Sequence, residues 1–182
     1  RGFDPILAVT LAPADAFELW QIPLFILLGV LCGLMAWYFT SMNSRVGGFF
    51  KSIDKQYKKW LWGGAILGIL IFVFPPLYGE GYEGFTSLMH GNAQELFNNS
   101  LFYRFRDIDW VIILFVIATM FFKVIAMSTT NAAGGVGGTF APSLFVGAFT
   151  GASLALVCNT LFGWEVSIVS FTLVGMAGVM SG

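Results

Sequence analysis

The sequence predicts an all-α fold: a polytopic membrane protein of tilted and re-entrant helices. Residues 1–21 read as a linker and residues 22–182 as membrane helices, with no separate soluble domain. Two observations carry this. The chain is 57% hydrophobic and only 10% charged over its 182 residues, with a mean hydropathy of +0.81, where a soluble domain carries roughly 25% charged residues. The apolar runs are also uneven in length and broken by Gly and Pro, which favours discontinuous helices over a plain bundle. No stretch carries a strand signal. The heavy use of Phe (20) and Trp (6) suits lipid-facing surface and interfacial belts. A net charge of −1 argues against nucleic acid as a partner.

Each element follows from local chemistry. Residues 1–21 are mixed in character and contain Pro5 and Pro13. Residues 22–40, opened by Pro23, form a first apolar run of about spanning length. Their pattern continues as helix to about Ile53, past the bilayer. Residues 45–59 hold Arg45, Lys51, Lys55, Lys58 and Lys59 against one acid, Asp54. This basic loop is cytoplasmic by the positive-inside rule. The next apolar run, 60–74, starts near Tyr57 and is stopped by Pro75 and Pro76. Residues 77–100 carry Glu80, Glu83 and Glu95 without Lys or Arg, as suits the opposite side of the membrane. Within them, 84–97 is half-apolar and too short to span, and reads as a re-entrant or interfacial helix. Asn98 to Ser100 fits a glycosylation sequon, a pattern frequent by chance. Arg104, Arg106, Asp107 and Asp109 precede a third long helix over 108–127, whose N-terminal Asp pair suits the helix dipole. A fourth helix runs over 142–162. A fifth runs over 165–180, opened by Glu165.

Gly29 with Gly33, Gly64 with Gly68, and Gly147 with Gly151 make small-xxx-small faces, read as ordinary helix packing in lipid. Cys32 and Cys158 lie inside apolar runs and read as inert thiols. No metal-ligand spacing exists, and no cofactor is expected. The chain starts at Arg1 and stops at Gly182 inside an apolar run, and is read as a piece of a longer membrane protein.

The chemistry concentrates in residues 131–151, NAAGGVGGTFAPSLFVGAFTG. Irregular glycine backbone at bilayer depth is tolerated only where protein buries it or where it lines a wet cavity. Pro142 suits a first helical turn, where its missing N–H goes unmissed. The helix beginning there aims free N–H groups and a positive dipole end into the glycine turn. That is an anion site built of backbone.

Lys123 is the one basic residue within an apolar span, about three helical turns before the first of the glycines. It either supplies positive potential to an anion path or serves as a structural cation that snorkels or binds helix carbonyls. Ser128, Thr129 and Thr130 end the third helix; their hydroxyls either donate to an anion or cap helix carbonyls, and capping is the favoured reading. His90, the only histidine, reads as a surface residue, with Ser87 and Glu83 near it in sequence but no constellation. The acidic residues of 77–100 read as a solvated loop rather than proton carriers.

Gly134 to Leu144, GGVGGTFAPSL, followed by Gly147, Ala148 and Gly151, resembles the GSGGSGG-x-FAPSL-x-x-GA-x-x-G signature of the CLC chloride channel and transporter family. Ala133 and Val136 stand where that pattern often has Ser or another small residue. The Lys123 helix, the run from Trp62 to Pro75 and residues 171–182 resemble flanking helices of the family, so the resemblance covers about 20–182. It implies a homodimer with one anion pathway per subunit, built of two inverted repeats, with this chain most of the second. It implies that the backbone amides of Thr139 and Phe140, with Gly138 adjacent, bind the central anion. Gly137, Pro142 and Lys123 support the pathway. The implied partners are chloride or a similar anion and the lipid bilayer, in a bacterial inner (plasma) membrane. The family's first anion-binding segment, its gating-glutamate segment and its late tyrosine-bearing helix are absent from these residues. Channel and proton-coupled antiporter are therefore both open. Two rival readings are a non-transporting membrane scaffold that assembles through its glycine faces and an intramembrane hydrolase.

Overall fold

A computed structural model describes residues 19–78, 104 and 108–182. The linker over 1–18, the expected helix over 84–97, His90, Ser87, the three glutamates, the sequon, Arg106 and Asp107 lie outside the described residues.

Among the described residues the chain is helical throughout, without strand. A 3₁₀ turn at Leu19–Gln21 leads into α1 (Ile22–Lys51). Then come α2 (Gln56–Val73), a second 3₁₀ turn at Pro75–Leu77, α3 (Asp109–Ala133), α4 (Phe140–Phe162) and α5 (Ile168–Ser181). Three segments are long and apolar enough to cross a membrane: Leu19–Lys51, Trp110–Ala133 and Phe140–Phe162. The first has 33 residues, or about 50 Å of helix, longer than an upright crossing of a hydrocarbon core of about 30 Å needs. The chain is an integral membrane protein.

Several expected boundaries move. The basic stretch is a helical corner, not an extended loop. Arg45 and Lys51 lie on α1, Lys58 and Lys59 on α2, and Lys55 is the residue before α2. The third helix runs past Met127 to Ala133. The fourth begins at Phe140, which puts Pro142 at its third residue. The fifth begins three residues after Glu165, at Ile168. Ser167 caps it, its hydroxyl accepting from the Ser170 amide at 3.4 Å. Asn159 explains the delay. Its side chain donates to the Val166 carbonyl at 3.0 Å and accepts the Val166 amide at 2.8 Å, holding the link as a tight turn. Gly163, at φ 62°, ends α4 at that turn.

α4 and α5 form an antiparallel pair in which two backbones touch. A methyl group added at Gly147 would strike the Gly175 carbonyl, and one at Gly151 the Phe171 carbonyl. In lipid this close approach, rather than a hydrophobic driving force, holds helices together. The Gly147–Gly151 face is therefore a packing face. The Gly29–Gly33 and Gly64–Gly68 faces meet no described atom within 4 Å.

α1 runs alongside α5, with Phe25 stacked on Phe171 at 4.5 Å. The Cys32 thiol donates to the Gly175 carbonyl at 3.7 Å. Both cysteines are buried and free. α3 packs antiparallel to α4, where the Thr150 hydroxyl meets Val146 O at 2.7 Å and Met120 Sδ at 3.0 Å. α2 returns along α3, so that Phe74 packs on Phe115 and Phe122.

Candidate anion site at the start of a helix

The glycine run divides its work. Gly134 adopts φ 102°, a left-handed conformation that side chains resist. From there its amide donates to Asn131 O at 3.2 Å, and the Gly135 amide donates to Thr130 O at 2.9 Å. This paired closure is a Schellman stop, and it ends α3. Neither the Ser128 nor the Thr130 hydroxyl reaches the last carbonyls of α3. Thr130 donates back to Ala126 O at 2.9 Å within its own helix, and the buried Ser128 hydroxyl has no hydrogen-bond partner. The cap from outside is Gln56, at the first residue of α2, whose amide group donates to Ala133 O at 3.1 Å. No local pattern marked Gln56, because its partner lies 77 residues away.

Gly137 and Gly138 then open onto a cavity of about 640 Å³. A Cβ at Gly138 would meet nothing within 4 Å, so that backbone stands open. α4 starts at Phe140, and Thr139 precedes it with no side-chain cap. The leading amides of a helix have no intrahelical acceptor. Pro142 carries no N–H, and Ser143 makes the first closing bond, to Thr139 O at 3.0 Å. Of residues 140–142, only Phe140 and Ala141 therefore present unpaired amide hydrogens at the helix start. Ser143 turns its hydroxyl back to Phe140 O at 2.7 Å and adds no donor to the site.

Lys123 lines the same cavity as Gly137, Gly138, Phe140 and Pro142. Thr139 is exposed beside it and is not among the lining residues. The Lys123 side chain is 3% exposed. Its ammonium donates to Leu77 O at 3.2 Å and lies 4.9 Å from the centre of the Phe145 ring. An intramembrane charge costs several kcal/mol without such partners, and a desolvated cation over a ring recovers about 2 kcal/mol. The two readings of Lys123 thus meet in one residue: it binds a helix-turn carbonyl, and it lines the cavity. The carbonyl is presented by the turn that Pro75 and Pro76 impose. Phe145 lies five residues into α4, about 8 Å along the axis from Phe140.

Among the described residues no group of His, Cys, Asp or Glu is placed to hold a metal ion. The arrangement therefore offers neutral amide donors, a nearby buried ammonium and room for water.

The family model described as voltage gated chloride channel matches residues 1–182. The chain is 29% identical over 177 residues to chloride channel protein CLC-e of Arabidopsis thaliana, covering 89% of this chain and 23% of that protein. It is 29% identical over 189 residues to chloride channel protein CLC-f of the same plant, covering 96% of this chain and 22% of that protein. It is 26% identical over 164 residues to a ClcB-like chloride channel protein of Ralstonia nicotianae, covering 89% of this chain and 34% of that protein. The chain thus spans between 22% and 34% of the length of these relatives. No solved structure matches it. With the family match running through every residue from the first helix to the last, the chain belongs to the voltage gated chloride channel family.

Proposed function

We propose that this chain forms one wall of the anion pathway of a CLC-type chloride channel or proton-coupled antiporter. A partly dehydrated anion is held by the backbone amides of Gly138, Thr139 and Phe140. One observation carries the reading: an uncapped helix start, the open backbone of Gly138 and a buried ammonium converge on a single cavity. Neutral amides offset much of the dehydration cost yet bind weakly enough to release the ion. Lys123 raises the local potential without entering the first coordination sphere, since Leu77 O and the Phe145 ring hold it. Chloride is the ion named in all three relatives' descriptions. In the full-length protein the unit is a homodimer in the inner (plasma) membrane of a bacterium. Residues 45–59 face the cytoplasm, because five cations and one acid gather there.

The full-length protein reconstituted in liposomes tests this. Chloride should leave the liposomes once the membrane potential is shunted. Proton movement against the chloride gradient marks an antiporter, and its absence marks a channel. If neither chloride nor fluoride is released, the reading fails, and the scaffold role of the exposed glycine faces takes its place.

A further inference from the structure

A second cavity, of about 550 Å³, lies between α1, α3 and α4 and shares no residue with the first. Leu31, Leu34 and Tyr38 of α1 face Phe121 of α3 and Leu154 and Val157 of α4 across it. The polar groups on its walls are already satisfied. Thr150 and Ser153 donate to carbonyls of their own helix at 2.7 and 2.6 Å, and Tyr38 donates to Phe121 O at 3.3 Å. The groove therefore offers dispersion contact and no hydrogen bond. It opens outward at Leu34 and Trp37, 56% and 68% exposed.

One end of this apolar stripe carries a charge. Arg45 lies seven residues beyond Tyr38, which at 3.6 residues per turn returns it to within about 20° of the same helix face. Its side chain is exposed and makes no ion pair among the described residues. From Leu31 to Arg45 is fourteen residues, about 21 Å of helix. One bilayer leaflet, headgroup included, is about 20–22 Å deep. With Leu31, near the middle of the apolar run, at the bilayer midplane, the cation would stand at the depth of a lipid phosphate.

We propose that this groove seats an acyl chain of an anionic phospholipid, with the phosphate held by Arg45. The other cations of the corner, Lys51, Lys55, Lys58 and Lys59, supply attraction of the same sign, with Asp54 as the only acid among residues 45–59. One cation against an anionic headgroup gives roughly a fivefold preference over a zwitterionic one.

The test places the full-length protein in phosphatidylcholine vesicles containing increasing fractions of phosphatidylglycerol or phosphatidylcholine with brominated acyl chains. Quenching of Trp37 is read as the difference between the native protein and Trp37→Phe. The expected result is half-quenching at about fivefold lower fraction of brominated phosphatidylglycerol. Arg45→Gln should narrow that difference, and half-molar salt on the unaltered protein, which screens all five cations, should bring the two lipids level. Leu34→Phe, which narrows the groove without touching charge, should weaken quenching by both. Equal quenching by the two lipids in the native protein overturns the proposal in favour of unselective lipid contact. No quenching of Trp37 by either overturns it in favour of another helix of the protein filling the groove.

Discussion

Replacing the Phe140 amide with an ester, by placing phenyllactic acid at position 140, removes one N–H and leaves the side chain in place. The structure sets the size of the effect. Phe140 is the first residue of α4, no side chain caps the helix, and Pro142 removes a third donor, so few amides share the anion. A hydrogen bond to a charged group contributes about 1.5–3 kcal/mol, so its loss should weaken chloride binding roughly ten- to hundredfold. The ester also weakens the Thr139 carbonyl, which accepts from Ser143 at 3.0 Å. An ester at Ser143 breaks that same bond from the donor side while leaving the Phe140 amide intact, and so isolates the structural cost. Chloride titration calorimetry on the full-length protein should show the loss for the Phe140 ester and near-native affinity for the Ser143 ester. Native affinity in the first, or an equal loss in both, refutes the amide site.

Other perturbations separate charge from packing. Lys123→Met removes the ammonium beside the Phe145 ring in the same cavity and should weaken anion binding by at most about 2 kcal/mol, the value for a whole charge about 8 Å away at an effective dielectric of about 20, with Lys123→Arg retaining part of it; dependence of melting temperature on chloride reads both. Gly151→Ala forces α4 off the Phe171 carbonyl and should destabilise the protein by about 1–3 kcal/mol in detergent melts. Gly29→Ala, with nothing within 4 Å, should be neutral or mildly stabilising by the same measurement. Asn159→Ala leaves the amide and carbonyl of Val166 without their partner; hydrogen exchange at the Val166 amide should quicken more than tenfold, for a loss of at least about 1.4 kcal/mol.

What the sequence made legible was what short-range chemistry decides. Pro75 and Pro76 end α2 where the ring stereochemistry demands, and the apolar run past Pro23 becomes a helix ending within two residues of the expected point. The glycine–FAP segment proved to be a turn running into a helix start. The errors fall where a distant or local polar contact overrides the pattern. Ser128 to Thr130 read as an ending, yet α3 carries on through them because its stop is supplied by Gly134 and Gly135. Glu165 read as an opener, but the Asn159 clamp keeps that stretch a turn. Lys123 and the glycines are separated along α3, and only the antiparallel return of α4 brings Phe145 under the ammonium. Gln56 and Leu77 O had no signal, because one acts through tertiary contact and the other through a backbone atom.

The Schellman stop has an electrostatic consequence. A helix C-terminus is the equivalent of about half a negative charge, and only six residues separate the end of α3 from the start of α4. Left bare, those carbonyls would repel any anion approaching the α4 amides. Three of them are occupied: Thr130 O by Gly135, Asn131 O by Gly134 and Ala133 O by Gln56. The stop thus quiets the negative pole of one helix beside the positive pole of the next. Gln56, a neutral residue outside the cavity lining, thereby weakens the repulsion that an anion at the proposed site would meet.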